Sequence, residues 1–354
     1  MKNNEGADLN KKIFNLMLIS SMFIFSNSIA AEVERTADVH SHIITPQYLQ
    51  ILAKHNALNE ETFPLPEWNI KNQLQFMEKA NIKYSIISMP APHPCYDDSE
   101  ECKKIIRDIN IASSEIKNQY PDKIKFLASL PLPDVESAIE EAKYALDVLG
   151  ADGIKLSTNS RGQYIGDKEL DSLMEILNDR NAVVFIHPCR PAAYSKNIID
   201  TTPLPLFEYP AETTRTVMNI LSRNLLAKYP NIKMIVPHAG SFLPLAIPRF
   251  RSIYPVVHQK GLIGEVDIDK NLKNIYYDLA GNPTSEVIKE LLTITTPEHI
   301  MYGSDFPYLS NNVLNKNLLS LKQEIEKDKE LEKYSQDFLY KNADKLFNYE
   351  RNVK

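Results

Sequence analysis

Three cysteines among 354 residues are too few for a disulfide-built scaffold, and they rule out a zinc centre made of four cysteines. Cys95 and Cys102, seven residues apart, are spaced to close one small loop, which leaves Cys189 unpaired. Nor is there an excess of positive charge. The 40 Lys and Arg stand against 46 Asp and Glu, a net of -6 with no basic block, so the electrostatic footprint of a nucleic-acid binder is missing. A small anionic substrate must then be held by local groups and not by the overall field. The apolar run Ile13–Phe25 is too short to cross a hydrocarbon core of roughly 30 Å comfortably. What is plentiful is core material: 43% of residues are hydrophobic and 24% charged, which excludes intrinsic disorder and collagen-like structure.

Lys11 and Lys12 precede that apolar run, and Ser28, Ile29 and Ala30 follow it. This is the three-part pattern of a secretory signal peptide over residues 1–30, cleaved after Ala30; the alternative is an uncleaved anchor. Residues 31–354 then form one secreted, periplasmic domain with no membrane anchor after cleavage.

From residue 34 onward, short β-branched apolar runs alternate with longer segments of helical periodicity, as parallel strands covered by helices do. Eight strands are expected, at 34–39, 83–89, 124–131, 152–157, 182–187, 232–237, 274–279 and 299–304. Between them lie stretches such as 134–148, where Ala138, Ile139, Ala142, Ala145 and Leu146 recur at helical spacing behind an N-cap at Asp134. Eight such repeats predict an α/β fold, the (β/α)8 TIM barrel. Residues 43–80, with Trp68, form an inserted segment after the first strand, and a Pro-rich stretch at 188–210 follows the fifth. Both would lie on the barrel's C-terminal face as pocket walls. Residues 312–350 read as a charged helical tail packed through Leu319, Leu339 and Phe347.

His40 and His42 sit two apart at the end of the first strand, where both side chains point the same way and can grip one ion. Eight histidines give such a pair by chance in roughly one chain in five, so alone it decides little. Position changes that weighting: His187 closes the fifth strand, His238 the sixth and Asp305 the eighth, so four strands bring polar groups to one barrel mouth. Three imidazoles and a carboxylate suit one divalent metal ion, Zn2+ first, with Mn2+ or Fe2+ as alternatives.

At these residues the chain resembles the amidohydrolase superfamily. Within it, the resemblance is to the metal-dependent decarboxylases of aminocarboxymuconate semialdehyde, 6-methylsalicylate and γ-resorcylate. The matching stretches are DVHSHIITPQYL at 38, RDIN at 107, LPLPD at 130, IHP at 186, EYPAETTR at 208, PHAGSFLP at 237, YGSDFP at 302 and NADKLF at 342. The resemblance implies that His40, His42, His187 and Asp305 bind the metal and that His238 handles a proton from the metal-bound water, with Asp305 beside it. It implies a non-oxidative carbon–carbon lyase acting on a small aromatic or unsaturated carboxylic acid, with a homodimer as the assembly. A hydrolase of a lactone or amide on the same site is the alternative, and a barrel that binds without catalysis is a third.

Other residues have two roles open to them. Arg249 matches a position that reaches a substrate carboxylate, in some relatives across a dimer interface, or it forms a surface ion pair. His93 either touches substrate or is a solvated loop histidine. Tyr308 and Phe306 either pack against a substrate ring or belong to the core. Arg215 reads as structural. Lys155 matches the carboxylated lysine of binuclear relatives, although the decarboxylase branch uses one metal. Cys189 is a soft ligand or a buried thiol, and Asp38 a support for the histidines. Muconate semialdehyde decarboxylases place an arginine after the first strand to pair with a second carboxylate. Residues 43–80 contain none, which points to a monoacid.

Overall fold

The β-branched runs form eight strands: β1 (Thr36–His42), β2 (Ile82–Ser88), β3 (Ile124–Ser129), β4 (Gly153–Ser157), β5 (Val183–His187), β6 (Lys233–Val236), β7 (Ile275–Asp278) and β8 (Ile300–Met301). The structure, a computed structural model, describes residues 34–347 apart from 196 and 200. The expected signal peptide, residues 1–30, lies outside the described residues. Neighbouring strands pair in parallel in chain order. Beyond β8 the chain returns to β1: Val39 N–H donates to the Tyr302 carbonyl (3.0 Å), and His42 N–H to that of Phe306 (2.7 Å). The (β/α)8 barrel expected from the repeat count is the fold observed.

Alternation along each strand separates two cores. On β5, Val184 and Ile186 join the apolar layer under the helices, while Val183 and Phe185 cluster with Val39, Ile86, Leu127, Ile235 and Met301 inside the barrel. His187 therefore occupies the same inner face as Phe185, one step nearer the C-terminal rim. On β1 the pairing register with β2 shifts between Asp38 and Ser41. Beyond this irregularity the His40 ring lies 4.9 Å from that of Phe185, inside the barrel.

The inserted segment holds two helices, α1 (Pro46–Lys54) and α2 (Ile70–Lys79), capped by the side chains of Thr45 and Asn69. Cys95, in the loop after β2, is disulfide-bonded to Cys102 on α3 (Ser99–Gln119), and Cys189 is a buried free thiol. On α4 (Val135–Asp147), Asp134 caps the first turn by accepting from Ser137 N–H at 3.1 Å, and Ala138, Ala142 and Ala145 are fully buried. The outer layer continues with α5 (Asp171–Asp179), α6 (Leu204–Ser222), α7 (Leu243–Gln259), α8 (Ser285–Leu291) and α9 (Asn311–Glu326).

The tail differs from expectation. It is a helix to Glu326 followed by short turns and a last helix at Asn342–Phe347. Leu339 and Phe347 are buried as expected, but Leu319 is 59% exposed. The buried stripe of α9 is Leu314, Leu318, Leu321 and Ile325, and at 100° per residue Leu319 falls off it.

Candidate metal centre

His40, His42 and His187 lie on β1 and β5, whose ladder fixes where they point, whereas His238 and Asp305 stand in the turns just past β6 and β8. His40 Nε2 lies 3.2 Å from His42 Nε2 and 3.3 Å from Asp305 Oδ1, and His42 Nε2 is 3.0 Å from the same oxygen. The His187 ring stands edge-on to those of His40 and His42, with centroids 5.3 and 4.7 Å away. One ligand atom from each of His40, His42, His187 and Asp305 lies within 4.8 Å of the others.

The far side of each ring dictates what its near side can do. His42 Nδ1 faces the Ser88 carbonyl (3.3 Å) and His187 Nδ1 the Pro188 carbonyl (2.8 Å), so both must donate. His40 Nδ1 meets the Asp278 carboxylate at 2.9 Å. In the neutral rings all three Nε2 atoms then carry lone pairs, which converge with Asp305 Oδ1 on one point. Such a set repels itself unless a cation stands among its members; three nitrogens and one oxygen fit a single divalent ion.

Electrostatics agree. Burial resists a charge on His40, yet the Asp278 and Asp305 carboxylates outweigh it and raise its pKa to about 10. Burial pushes His42 down to about 4, and burial with the neighbouring imidazoles holds His187 well below the usual histidine range. Burial also opposes ionisation of Asp305, but when His40 is protonated its charge and the hydrogen bonds of the surrounding imidazoles keep that carboxyl well below the ordinary carboxylate range. The two carboxylates thus favour positive charge at this point, which a proton on His40 supplies in part and a divalent ion balances in full.

Backbone conformation sets the remaining parts. Asp305 and His238 adopt φ values of 60° and 57°, in the left-handed region that costs a side-chain-bearing residue on the order of 1–3 kcal/mol. Each is pinned: Asp305 N–H donates to the His40 carbonyl (2.8 Å), and His238 N–H to Asp278 Oδ1 (2.9 Å). His238 Nε2 then stands 3.9 Å from Asp305 Oδ2, beside the ligand set without belonging to it. Gly303 passes so close that a Cβ there would lie 2.8 Å from His40 Cβ and 3.1 Å from Asp278 Cγ.

Two carboxylates divide the support work. Asp38 accepts from Ser304 N–H (2.9 Å), Ser304 Oγ (2.6 Å), Ser85 Oγ (3.2 Å) and His40 N–H (3.2 Å), so it holds main chain and not an imidazole. The acceptor for the His40 ring is Asp278, which the sequence reading passed over. Its signal was present, a polar residue closing an apolar strand in the manner of His187.

Of the candidate substrate contacts, Tyr308 faces the centre, its ring edge-on to His42 at 5.5 Å. His93 is not a solvated loop residue: its Nε2 donates to the Leu130 carbonyl (3.0 Å), burial pushes it down to about 3, and it lines a cavity of about 540 Å³. Glu61, Asn159, Cys189 and Arg190 share that lining. Arg249 is exposed on α7, in a groove with Met218, Phe250 and Tyr254 that none of the four candidate ligands lines. Phe306 stacks on Phe76 (5.2 Å, 8° between planes) and belongs to the core. Arg215 pairs with Glu212 on α6. Lys155 is buried on β4, its Nζ donating to Ser157 Oγ (3.0 Å), and burial lowers its pKa to about 8. Cys189 is in hydrogen-bond contact with Thr158 and Asn159, outside the ligand set.

The amidohydrolase family profile matches residues 37–349. Decarboxylase yanB of Aspergillus niger is 33% identical over 292 residues, 79% of each chain. The 6-methylsalicylic acid decarboxylase of Penicillium expansum is 30% identical over 275 residues, 76% of this chain and 84% of that one. A crystal structure described as amidohydrolase II superposes with a TM-score of 0.82 at 33% identity, covering 88% of this chain and 99% of that one. A dihydroxybenzoic acid decarboxylase of Polaromonas sp. JS666, solved with bound manganese, shares the fold at a TM-score of 0.70 and 19% identity, covering 90% and 99%. The chain belongs to the amidohydrolase family.

Proposed function

We propose that the protein is a metal-dependent, non-oxidative decarboxylase of a small aromatic carboxylic acid of the 6-methylsalicylate type. The observation that carries this is the convergence of His40, His42, His187 and Asp305 with His238 at the C-terminal rim, in a chain whose similar proteins are decarboxylases. Those four residues would hold a divalent ion, which would supply Lewis acidity toward a substrate oxygen. Zinc is the first candidate for that ion and manganese the second.

The chain's own groups do the rest. The aromatic walls Tyr308 and Tyr209, edge-on to His42 and His187 at 5.5 and 6.3 Å, are surfaces against which a substrate ring packs. His238, pinned by Asp278 beside the ligands, delivers a proton to the ring carbon that bears the carboxylate. The bond to the carboxyl carbon then breaks, its electron pair stays with the ring, and CO2 leaves. One proton replaces one CO2, so electrons balance without an oxidant or reductant.

Export through residues 1–30 into the periplasm is part of the same proposal, supported by the basic, apolar and small-residue pattern there and by the Cys95–Cys102 disulfide. So is a homodimer, for which the exposed Leu245, Ile253 and Val256 of α7 offer an apolar face and from which Arg249 would reach a neighbouring copy's site. Incubating metal-loaded protein with 6-methylsalicylate and related salicylates should release CO2 and the matching phenol in equal amounts. Consumption of lactones or amides with no CO2 from any acid would overturn the lyase in favour of a hydrolase.

A further inference from the structure

The segment after β1 has no arginine between residues 43 and 80, yet it carries a buried acid into the lining of a cavity shared with Cys189, two residues past the candidate ligand His187. Glu61 is 5% exposed. Its Oε2 accepts from the Tyr209 hydroxyl at 3.0 Å, and Tyr209 packs its ring edge-on to that of the metal-site residue His187. Flanking residues clamp the strap that carries it: Glu60 Oε1 accepts from Arg161 (3.1 Å) and Thr62 Oγ1 from Leu204 N–H (2.8 Å). Thr62 takes a φ of 57°, a further local cost.

Burying a carboxyl is expensive, and burial raises this one to a pKa of about 7. Its partners are the Tyr209 hydroxyl and the Arg190 main-chain N–H, and a carboxylate with about four acceptor sites keeps capacity for a further donor from the cavity. The cavity it lines, about 540 Å³, is the size of a pocket for one small aromatic acid. A substrate edge with an O–H or N–H adds a donor to the carboxylate; an apolar edge displaces water from it and gives nothing back; a second carboxylate meets like charge.

We propose that Glu61 is a specificity-determining residue of this site. Its carboxylate accepts a hydrogen bond from a hydroxyl or amino group on the substrate edge away from the metal, and it turns away acids with a second carboxylate there. This rests on the decarboxylase proposed above and adds a substrate class, the monocarboxylic aromatic acid with a second ring donor.

The test uses the metal-loaded full chain and Glu61→Gln, which keeps an oxygen for Tyr209. The acids are 2-hydroxybenzoate, the dihydroxybenzoates with a second hydroxyl at each other ring position, and 4-hydroxyisophthalate. Both kcat/KM for CO2 release and calorimetric Kd are measured. At least one dihydroxybenzoate should exceed 2-hydroxybenzoate by about tenfold or more in the wild type, since a site built to bond a hydroxyl rejects analogues without one. In Glu61→Gln that advantage should fall below about threefold and the diacid should improve. An unchanged preference in the variant overturns the proposal, as does a wild type that favours the diacid, its second carboxylate then pairing with Arg190. The wild-type measurement alone decides if the variant does not fold. CO2 release that is indifferent to Glu61 sinks the recognition and leaves the reaction standing. Donor-dependent binding lost in Glu61→Gln, with no CO2 from any acid, does the reverse. Neither binding nor turnover of any acid overturns both.

Discussion

Replacing Asp278 by Asn tests the centre through a residue that is not a ligand. Asp278 Oδ1 accepts from two main-chain donors, His238 N–H and Ala280 N–H, both at 2.9 Å, and Oδ2 takes His40 Nδ1 at 2.9 Å. An asparagine cannot serve all three. If its oxygen keeps the two main-chain donors, its NH2 faces His40 and forces the ring to carry its proton on Nε2. The lone pair aimed at the metal point is then gone. If the amide turns over, His40 keeps its tautomer but two buried N–H groups lose their acceptor, at about 1–3 kcal/mol each. The first arrangement costs metal affinity, about 10–100-fold for loss of a ligand's supporting acceptor, or about 1.4–2.8 kcal/mol. It is the cheaper of the two, so Asp278→Asn should fold and bind metal about 10–100-fold more weakly. Competition against a chromophoric chelator gives the affinity, urea unfolding of the metal-free protein gives the stability, and 15N shifts of labelled histidine report the tautomer. An affinity within about threefold of the wild type, with unfolding unchanged, would show that Asp278 does not set the state of His40.

Three further outcomes are expected. His238→Asn should bind metal normally but lose about 10²–10⁴ in kcat, because the proton carrier is removed while the four ligands remain; full turnover would refute its role. The raised pKa of Glu61, about 7 against an ordinary 4.5, means the native state holds more protons than the unfolded state between those values. Stability should therefore fall as pH rises through that window, by about 3 kcal/mol at about 1.4 kcal/mol per pH unit, and Glu61→Gln should not share the loss. Urea unfolding at pH 5 and pH 8 reads this as a change in the gap between wild type and variant; an identical gap at both pH values would contradict it. Gly303→Ala puts a methyl group within 2.8 Å of His40 Cβ, so either β1 or the chain after β8 must move. Lower metal content and about 1–3 kcal/mol less stability should result, and wild-type behaviour in both would count against the close packing.

How much of this was legible in the sequence follows from which interactions place each residue. The strands could be read because a buried parallel strand needs an unbroken apolar run, as in VVFIH of β5, and the ligands because they close such runs. Asp278 closes β7 in the same way, but histidine drew attention to ligands and away from what orients them. Leu319 is exposed because the buried stripe of α9 excludes its phase, which the apolar content of the tail does not fix.

Glu61 is a different kind of miss. Residues 55–69 have no period of two or 3.6 to betray their burial, and a pair of glutamates in NEETFP looks like any solvated turn. What buries Glu61 is distant in the chain: Tyr209 on α6, with Thr62 tied to Leu204 at its start and Glu60 to Arg161. Contacts of that range leave no local pattern. The two parts of the site are thus recorded differently. The candidate ligands and the proposed proton carrier lie on or just past single strands, so each shows in the sequence by itself. Selectivity built by loops meeting across the mouth shows only when they are assembled. An alteration in substrate range should therefore map to residues such as Glu61, Arg190 and Tyr209, and a loss of the reaction itself to the strand ends.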